Sequence, residues 1–262
     1  MSRPATHISY LCILAAVMML TGCSGIFSDV YDDPPVDEDK PLTVSGELAV
    51  DASSWTHWHF IDLDSVAHHT ALDPMYNPSS AWVTFPIPTE QSADSEGRDG
   101  IYTYWYDVFG EGISKREYRD FYPTQAQPEP PTWTMAVHRN NVMTNGCAVA
   151  ATDYDSFDQL PEDKSELNAL TFSADRWNES DVWVIQDRML LGLIGCQGIA
   201  INETLSSWLS VDIPPIPPSF TLNSKVFILK TPEGRLAAIQ LKNYQSSTGT
   251  KCVLSINYRY PL

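Results

Sequence analysis

Six histidines, five cysteines and seven methionines are the side chains of this 262-residue chain best suited to hold a transition metal or to act as nucleophiles. His57 and His59 stand two apart in Trp55-Thr56-His57-Trp58-His59-Phe60, so an extended strand would place both on one face. His68 and His69 are adjacent. Imidazole pairs of this kind bind metals, but solvated strand and turn histidines are the commoner use, and these four are read that way. His138 lies among small apolar residues and precedes Arg139, which reads as a satisfied structural histidine. No Cys-x-x-Cys or His-Glu-x-x-His spacing occurs, so a structural zinc or zincin site has no support. The nucleophile elbow, the phosphate-binding loop and the dinucleotide fingerprint are also missing. With 33 acidic residues, chance carboxylate pairs are inevitable and say nothing about glycoside hydrolysis. A binding protein is expected, not an enzyme.

One cysteine stands apart. Tyr10–Leu20 is an apolar run of signal-peptide length, too short to span a bilayer comfortably, and it ends in Leu20-Thr21-Gly22-Cys23. This looks like a bacterial lipobox, in which the Cys23 thiol is acylated before cleavage. Several acyl chains, at about 0.8 kcal/mol per buried CH₂, make a stable anchor where one would not. An ordinary secretory signal with a chance Cys23 is the other reading. Residues 1–22 are thus expected to be a lipoprotein leader, and 23–41, acidic and proline-bearing, a flexible tether. The membrane is met through lipid alone. Cys12 leaves with the leader. Cys147, Cys196 and Cys252 remain, cannot all pair, and are expected to be free, Cys196 as a buried thiol.

The elements that must position any site read as β-structure. The formal charge is −17, and losing Arg3 with the leader makes it −18, which opposes binding to nucleic acid or to anionic lipid. Nineteen prolines, eight Trp, twelve Tyr and nine Phe favour strands and turns over a helix bundle. Trp55–Leu63, Ile101–Phe109 and Trp133–Thr144 each read as one strand with apolar residues on both faces. Lys225–Lys230 and Arg235–Leu241 read as a hairpin across Thr231-Pro232-Glu233-Gly234, and Cys252–Tyr260 as a last strand completing a meander. Asn202–Leu209 reads as a short helix capped by Asn202, with Leu205, Trp208 and Leu209 inward. The prolines of Asp212–Pro218 exclude helix and central strand there.

Three separated segments resemble, in order, the HmuY family of bacterial haem-binding lipoproteins. They are Trp55–Phe60, Trp133–Arg139 with Thr144-Asn145-Gly146, and the C-terminal meander from Lys225-Val226-Phe227 to Tyr258-Arg259-Tyr260-Pro261. The resemblance implies an all-β fold: a single HmuY-like domain over 42–262, of antiparallel sheets with one or two short helices. It also implies a domain displayed on the outer-membrane surface that captures haem for an outer-membrane transporter.

Family members take two axial haem ligands, a His pair or a Met pair, from two loops between the second and third segments; both ligand types suit haem iron. The resemblance maps the first loop onto Asp187–Gly192, where Met189 would supply a thioether; Arg188, the nearest cation to Met189, is the candidate contact to a haem propionate against the acidic field of the chain. It maps the second onto Trp208–Pro218. There the ligand position of Met-type members, just before a Pro-Pro pair, holds Ile216, which cannot coordinate iron, and Ile213 is no better. Burial of the porphyrin faces would then supply most of the affinity, with Ile101–Phe109 and the Trp208 segment as the aromatic source. A second reading keeps the fold without haem, as a surface adhesion or glycan-associated lipoprotein.

Overall fold

Strand Lys251–Tyr260 alternates residue by residue, with Cys252, Leu254, Ile256, Tyr258 and Tyr260 buried and the side chains between them partly open. This is the period-two pattern of a sheet with one face on a core. In the computed structural model, residues 42–73, 75–78, 81–89, 101–107, 112–116, 125–186, 193–212 and 217–262 are described. Lys251–Tyr260 pairs antiparallel with Val44–Asp51 on one side and Leu236–Gln245 on the other. Phe227–Lys230, Ala148–Ala151 and Ser173–Ala174 complete a six-stranded sheet. The expected meander is therefore present, and Gly234 takes φ 83° in its tight turn, a conformation that costs glycine nothing.

A second sheet has the order Trp82–Pro86, His57–Ile61, Met135–His138, Asn141–Thr144. Both of its faces are covered. Ile61, Met135, Val137 and Val142 meet the six-stranded sheet in the main core, which also takes in Leu205, Trp208 and Leu209. Trp58, Phe60, Ala136 and Met143 face a second core with Val182, Val184 and Ile201. That double burial is why these segments carry apolar residues at every position. The third sheet, Trp183–Ile185, Leu193–Gln197, Ile101–Asp107 and Gly112–Arg116, is joined to the second where the buried Trp58 indole donates to Gln197 Oε1 at 3.0 Å. Two ribbons, Arg176–Asn178 with Ile199–Ile201 and Leu209–Asp212 with Ser219–Leu222, complete the strands described.

The fold is mostly β, as expected, with a few short helices, and three sequence expectations are corrected in detail. Trp133–Thr144 is two strands. The chain reverses at Arg139-Asn140, so His138 pairs with Asn141 and Val137 with Val142. An apolar run on either side of a turn without Gly or Pro concealed the reversal. The strand expected over Trp55–Leu63 occupies His57–Ile61 and gives way to a helix, Leu63–Leu72. Asp62 caps that helix by accepting from the Asp64 and Ser65 amides, while Leu63 and Val66 are buried. The helix expected over 202–209 is shorter, Glu203–Ser206, but its Asn202 cap holds: the Asn202 side chain accepts from the Leu205 amide.

Because Ile256 sits at the centre of the main core, Ile256→Ala is expected to lower stability by about 2–5 kcal/mol. Lys242→Ala, on the exposed side of the neighbouring strand, should stay within about 0.5 kcal/mol. Urea midpoints at constant slope check both.

Candidate functional site

The reversal at Arg139 is the natural starting point, because Arg139 takes φ 53°, a left-handed conformation uncommon outside glycine. Two bonds reach from it to the segment that enters the second sheet. His138 Nε2 lies 2.9 Å from the Trp55 carbonyl and donates to it, and Arg139 Nη1 donates to the Ser53 carbonyl at 2.8 Å. The guanidinium carbon stands 3.9 Å from the centre of the Trp55 ring, inside cation–π range. Trp55 in turn stacks on Trp183, centroids 6.0 Å apart and planes 8° from parallel. Trp183 begins the hairpin stem Trp183–Ile185 with Leu193–Gln197, where Cβ-free Gly195 faces Ile185; a Cβ on it would come within 2.9 Å of the Ile185 side chain.

A second stem closes from the other direction. Val211 pairs with Phe220 and Asp212 with Ser219. Phe220 stacks on Tyr244 at 5.7 Å, and the Lys251 ammonium lies 4.8 Å from the Tyr244 ring and 5.5 Å from that of Phe220. These parts enclose a largely apolar cavity of about 320 Å³. Trp55, Trp183 and Phe220 supply its aromatic walls, Val211, Pro217 and Pro218 its aliphatic ones, and Arg139 and Lys251 its cations. Asp181 also lines it, with its carboxylate oxygens already accepting from Asn178 and Ser180. Beside it lies a polar cavity of about 280 Å³, lined by Asn141, Asp181, Glu203, Ser206 and Ser210 among others.

Met189, Arg188 and Ile216 lie outside the described residues, as does Cys23. What is described are the chain ends on either side. Gln186 precedes the segment carrying Arg188 and Met189, while Val211 and Pro217 bracket the segment carrying Ile213 and Ile216, and all three line the apolar cavity. Of the two expected aromatic sources, the side chains of Ile101–Phe109 lie outside the described residues and Trp208 is corrected: it is fully buried in the core, where its indole donates to the Asn140 carbonyl at 2.9 Å. The cavity takes Trp183 and Phe220 instead. The signal for them was weak, an isolated Trp at a strand start and a Phe just after a proline run.

The histidines are placed one by one. His138 is structural as read, fully buried against Trp58 at 5.3 Å, though its Nδ1 finds no partner among the described residues. His57 is partly open and bonded by Ser54 and Thr56. His59, read as solvated, is instead 4% exposed, edge-on to Trp82 and bonded to Thr84. His68 and His69 are exposed but lie on the Leu63–Leu72 helix, not on a turn. Cys147, Cys196 and Cys252 are free and buried. Burial drives all three thiols upward, Cys147 to about 12, so none is a thiolate at neutral pH. Burial also pulls the Arg139 guanidinium below its ordinary value, against the opposing influence of Cys252.

The molecule is thus an antiparallel β-scaffold built around an aromatic, cation-bearing cavity between two hairpin stems. The chain belongs to the HmuY family: the sequence pattern described as HmuY protein matches residues 54–258. It is similar to a solved structure described as an HmuY-like haem-binding protein from Bacteroides vulgatus, with 27% identity over 83% of this chain and 92% of that chain, TM-score 0.55. It is equally similar to one described as a lipoprotein from Bacteroides fragilis, with 27% identity over 83% of this chain and 90% of that one, TM-score 0.55. Apo PinO from Porphyromonas gingivitis shares the fold, at 19% identity over 84% of this chain and 97% of that chain, TM-score 0.59. No curated protein sequence matches the chain.

Burial holds the His138 imidazole far below its ordinary 6.5, at about 3, and His59 at about 4. Both stay neutral in the fold while the unfolded chain takes up protons below pH 6.5. Their contribution is therefore complete above pH 6.5 and is lost as pH falls toward 4 and then 3. Replacing His138 with Gln, which keeps a donor for the Trp55 carbonyl, should shrink the stability difference between pH 7.5 and 4.5 by about 2–3 kcal/mol in urea titrations.

Proposed function

We propose that this protein captures haem as a surface-anchored lipoprotein and passes it to an outer-membrane transporter. The observation that carries this reading is the apolar cavity bordered by both chain segments to which family ligands map. Its composition fits the group. Flat aromatic and proline walls match the macrocycle faces, and Arg139 and Lys251 match the charge of two propionates. No imidazole, thioether or thiol lines it among the described residues, so axial ligation rests on the segments 187–192 and 213–216. Haem supplies an iron with two axial positions. Met189 would hold the iron through its thioether, Arg188 would contact a propionate, and Ile216 would offer the iron no ligand. Porphyrin burial then carries most of the affinity.

Anchoring is through acylated Cys23, with residues 23–41 as the tether. Support comes from the Leu20–Cys23 motif and from the Bacteroides fragilis relative's description as a lipoprotein. Among the described residues no helix is long and apolar enough to cross a membrane. A second reading, glycan binding or adhesion without haem, is favoured by the polar cavity of Asn141, Asp181, Glu203 and Ser210, whose side chains suit hydroxyl groups.

Hemin added to the purified protein should give a saturable Soret change, tighter after dithionite because soft sulfur prefers Fe(II). Met189→Ala should abolish that preference for the reduced state, and Ile216→Met should raise affinity by adding a second thioether. No Soret change in either redox state ends haem capture, and a glycan-array signal in its place establishes the second reading. In cells, Cys23→Ala should move the protein from the membrane pellet to the soluble fraction.

A further inference from the structure

We propose that Arg139 and Lys251 are the carboxylate-recognising residues of the apolar cavity, so that it selects planar aromatic ligands carrying two ionised carboxylates. The inference rests on the haem-capture reading and names the side chains that read the ligand's acid groups.

The chain has 33 acidic residues for 16 basic ones, so cations in it are readily neutralised. Lys225, Arg235 and Arg259 each have a carboxylate within ion-pair distance, while Lys164, Arg176, Lys230 and Lys242 have none among the described residues but do not line the apolar cavity. Arg139 and Lys251 have none among the described residues, although both line an apolar cavity, where an uncompensated charge is costly. Of the five N–H donors of Arg139, one is used on Ser53 among the described residues. Lys251 donates to Gln245 Oε1 at 2.6 Å and otherwise faces rings.

Both cations are held in place by unusual backbone. Arg139 takes φ 53°, and Cys252, next to Lys251, takes φ 64° inside a strand whose register with its neighbour is irregular at that end. Strain of this kind persists where surrounding structure enforces it, and it gathers at binding sites. Each cation also covers an aromatic wall: Arg139 lies over Trp55 and Lys251 over Phe220. A planar ligand entering the cavity lined by Trp55, Trp183 and Phe220 therefore brings acid groups on its edge toward two charges that have no carboxylate partner among the described residues. Asp181 works against an anion, but its oxygens are occupied by Asn178 and Ser180.

Hemin and hemin dimethyl ester separate acid recognition from haem capture, because the ester keeps the macrocycle and the iron and loses both charges. The wild-type protein should bind hemin about 100-fold more tightly than the ester, about ten-fold for each carboxylate. Lys251→Gln should weaken hemin about ten-fold and leave the ester unchanged, while Arg139→Gln, which also releases Trp55, should weaken hemin about ten-fold more than it weakens the ester. The Lys251 variant keeps the test open if Arg139→Gln fails to fold. Equal affinities for hemin and ester in the wild type overturn the proposal while haem capture stands. So does a Lys251→Gln protein with unaltered hemin affinity. Binding of neither compound removes haem capture, and this inference with it.

Discussion

The cavity depends on a reversal of the chain that contains neither glycine nor proline. Arg139 and Asn140 turn one strand into the next, and the turn is fixed from outside by His138 on the Trp55 carbonyl and Arg139 on the Ser53 carbonyl. Those two bonds do more than close a hairpin. They set Trp55 against the guanidinium and align it with Trp183, which starts the stem leading toward Met189. A buried imidazole that stays neutral suits this task. A charged one would need a counter-ion, and no carboxylate is bonded to His138 among the described residues. The left-handed backbone at Arg139 costs on the order of 1–3 kcal/mol, and the bonds and ring contact on either side are what hold it.

The second sheet explains why this arrangement is stiff. Packed on both faces, it lacks the solvent-facing freedom of an ordinary antiparallel sheet. Trp58 on one face reaches Gln197 in the third sheet, and Val142 on the other lies in the main core. Trp208, buried below, bonds to Asn140 from the far side, so the turn is gripped by core contacts and by the Trp55 segment together. The aromatic walls thus inherit their positions from the core, and the cavity needs little ordering when a ligand enters.

How far the sequence could be read follows from the same features. Period-two alternation made the C-terminal meander legible down to its Pro-Gly turn, because one face of that sheet is partly open. Where both faces are buried the alternation vanishes, so Trp133–Thr144 read as one strand and the reversal at Arg139 was hidden. The Leu63–Leu72 helix was missed because Asp62 and Leu63 follow an apolar run, although Asp62 is a sound cap. His59 was misjudged for a related reason: sharing a face with His57 said nothing about Trp82 covering it. Of the cavity, Trp55 and Arg139 sat in recognised segments. Lys251 lay within the recognised C-terminal meander but carried no signal of its own, and Trp183 and Phe220 come from strands outside the recognised segments, so only strand pairing brings the three together.

The electrostatics of capture follow from the difference between long and short range. A chain of formal charge −17 repels a dianion at distances beyond the screening length only weakly in physiological salt, since fields there decay within about 8 Å. Inside that range the nearest charges decide, and at the cavity two cations without carboxylate partners among the described residues face one carboxylate already bonded to its neighbours. On the proposed reading, the global field acts on encounter and the local one on retention. A site that draws its affinity from apolar burial and acid recognition depends less on iron coordination than one clamped by two ligands. On the proposed reading, a chain with Ile216 at the second ligand position of the sequence must therefore draw retention from the rings and cations of the cavity.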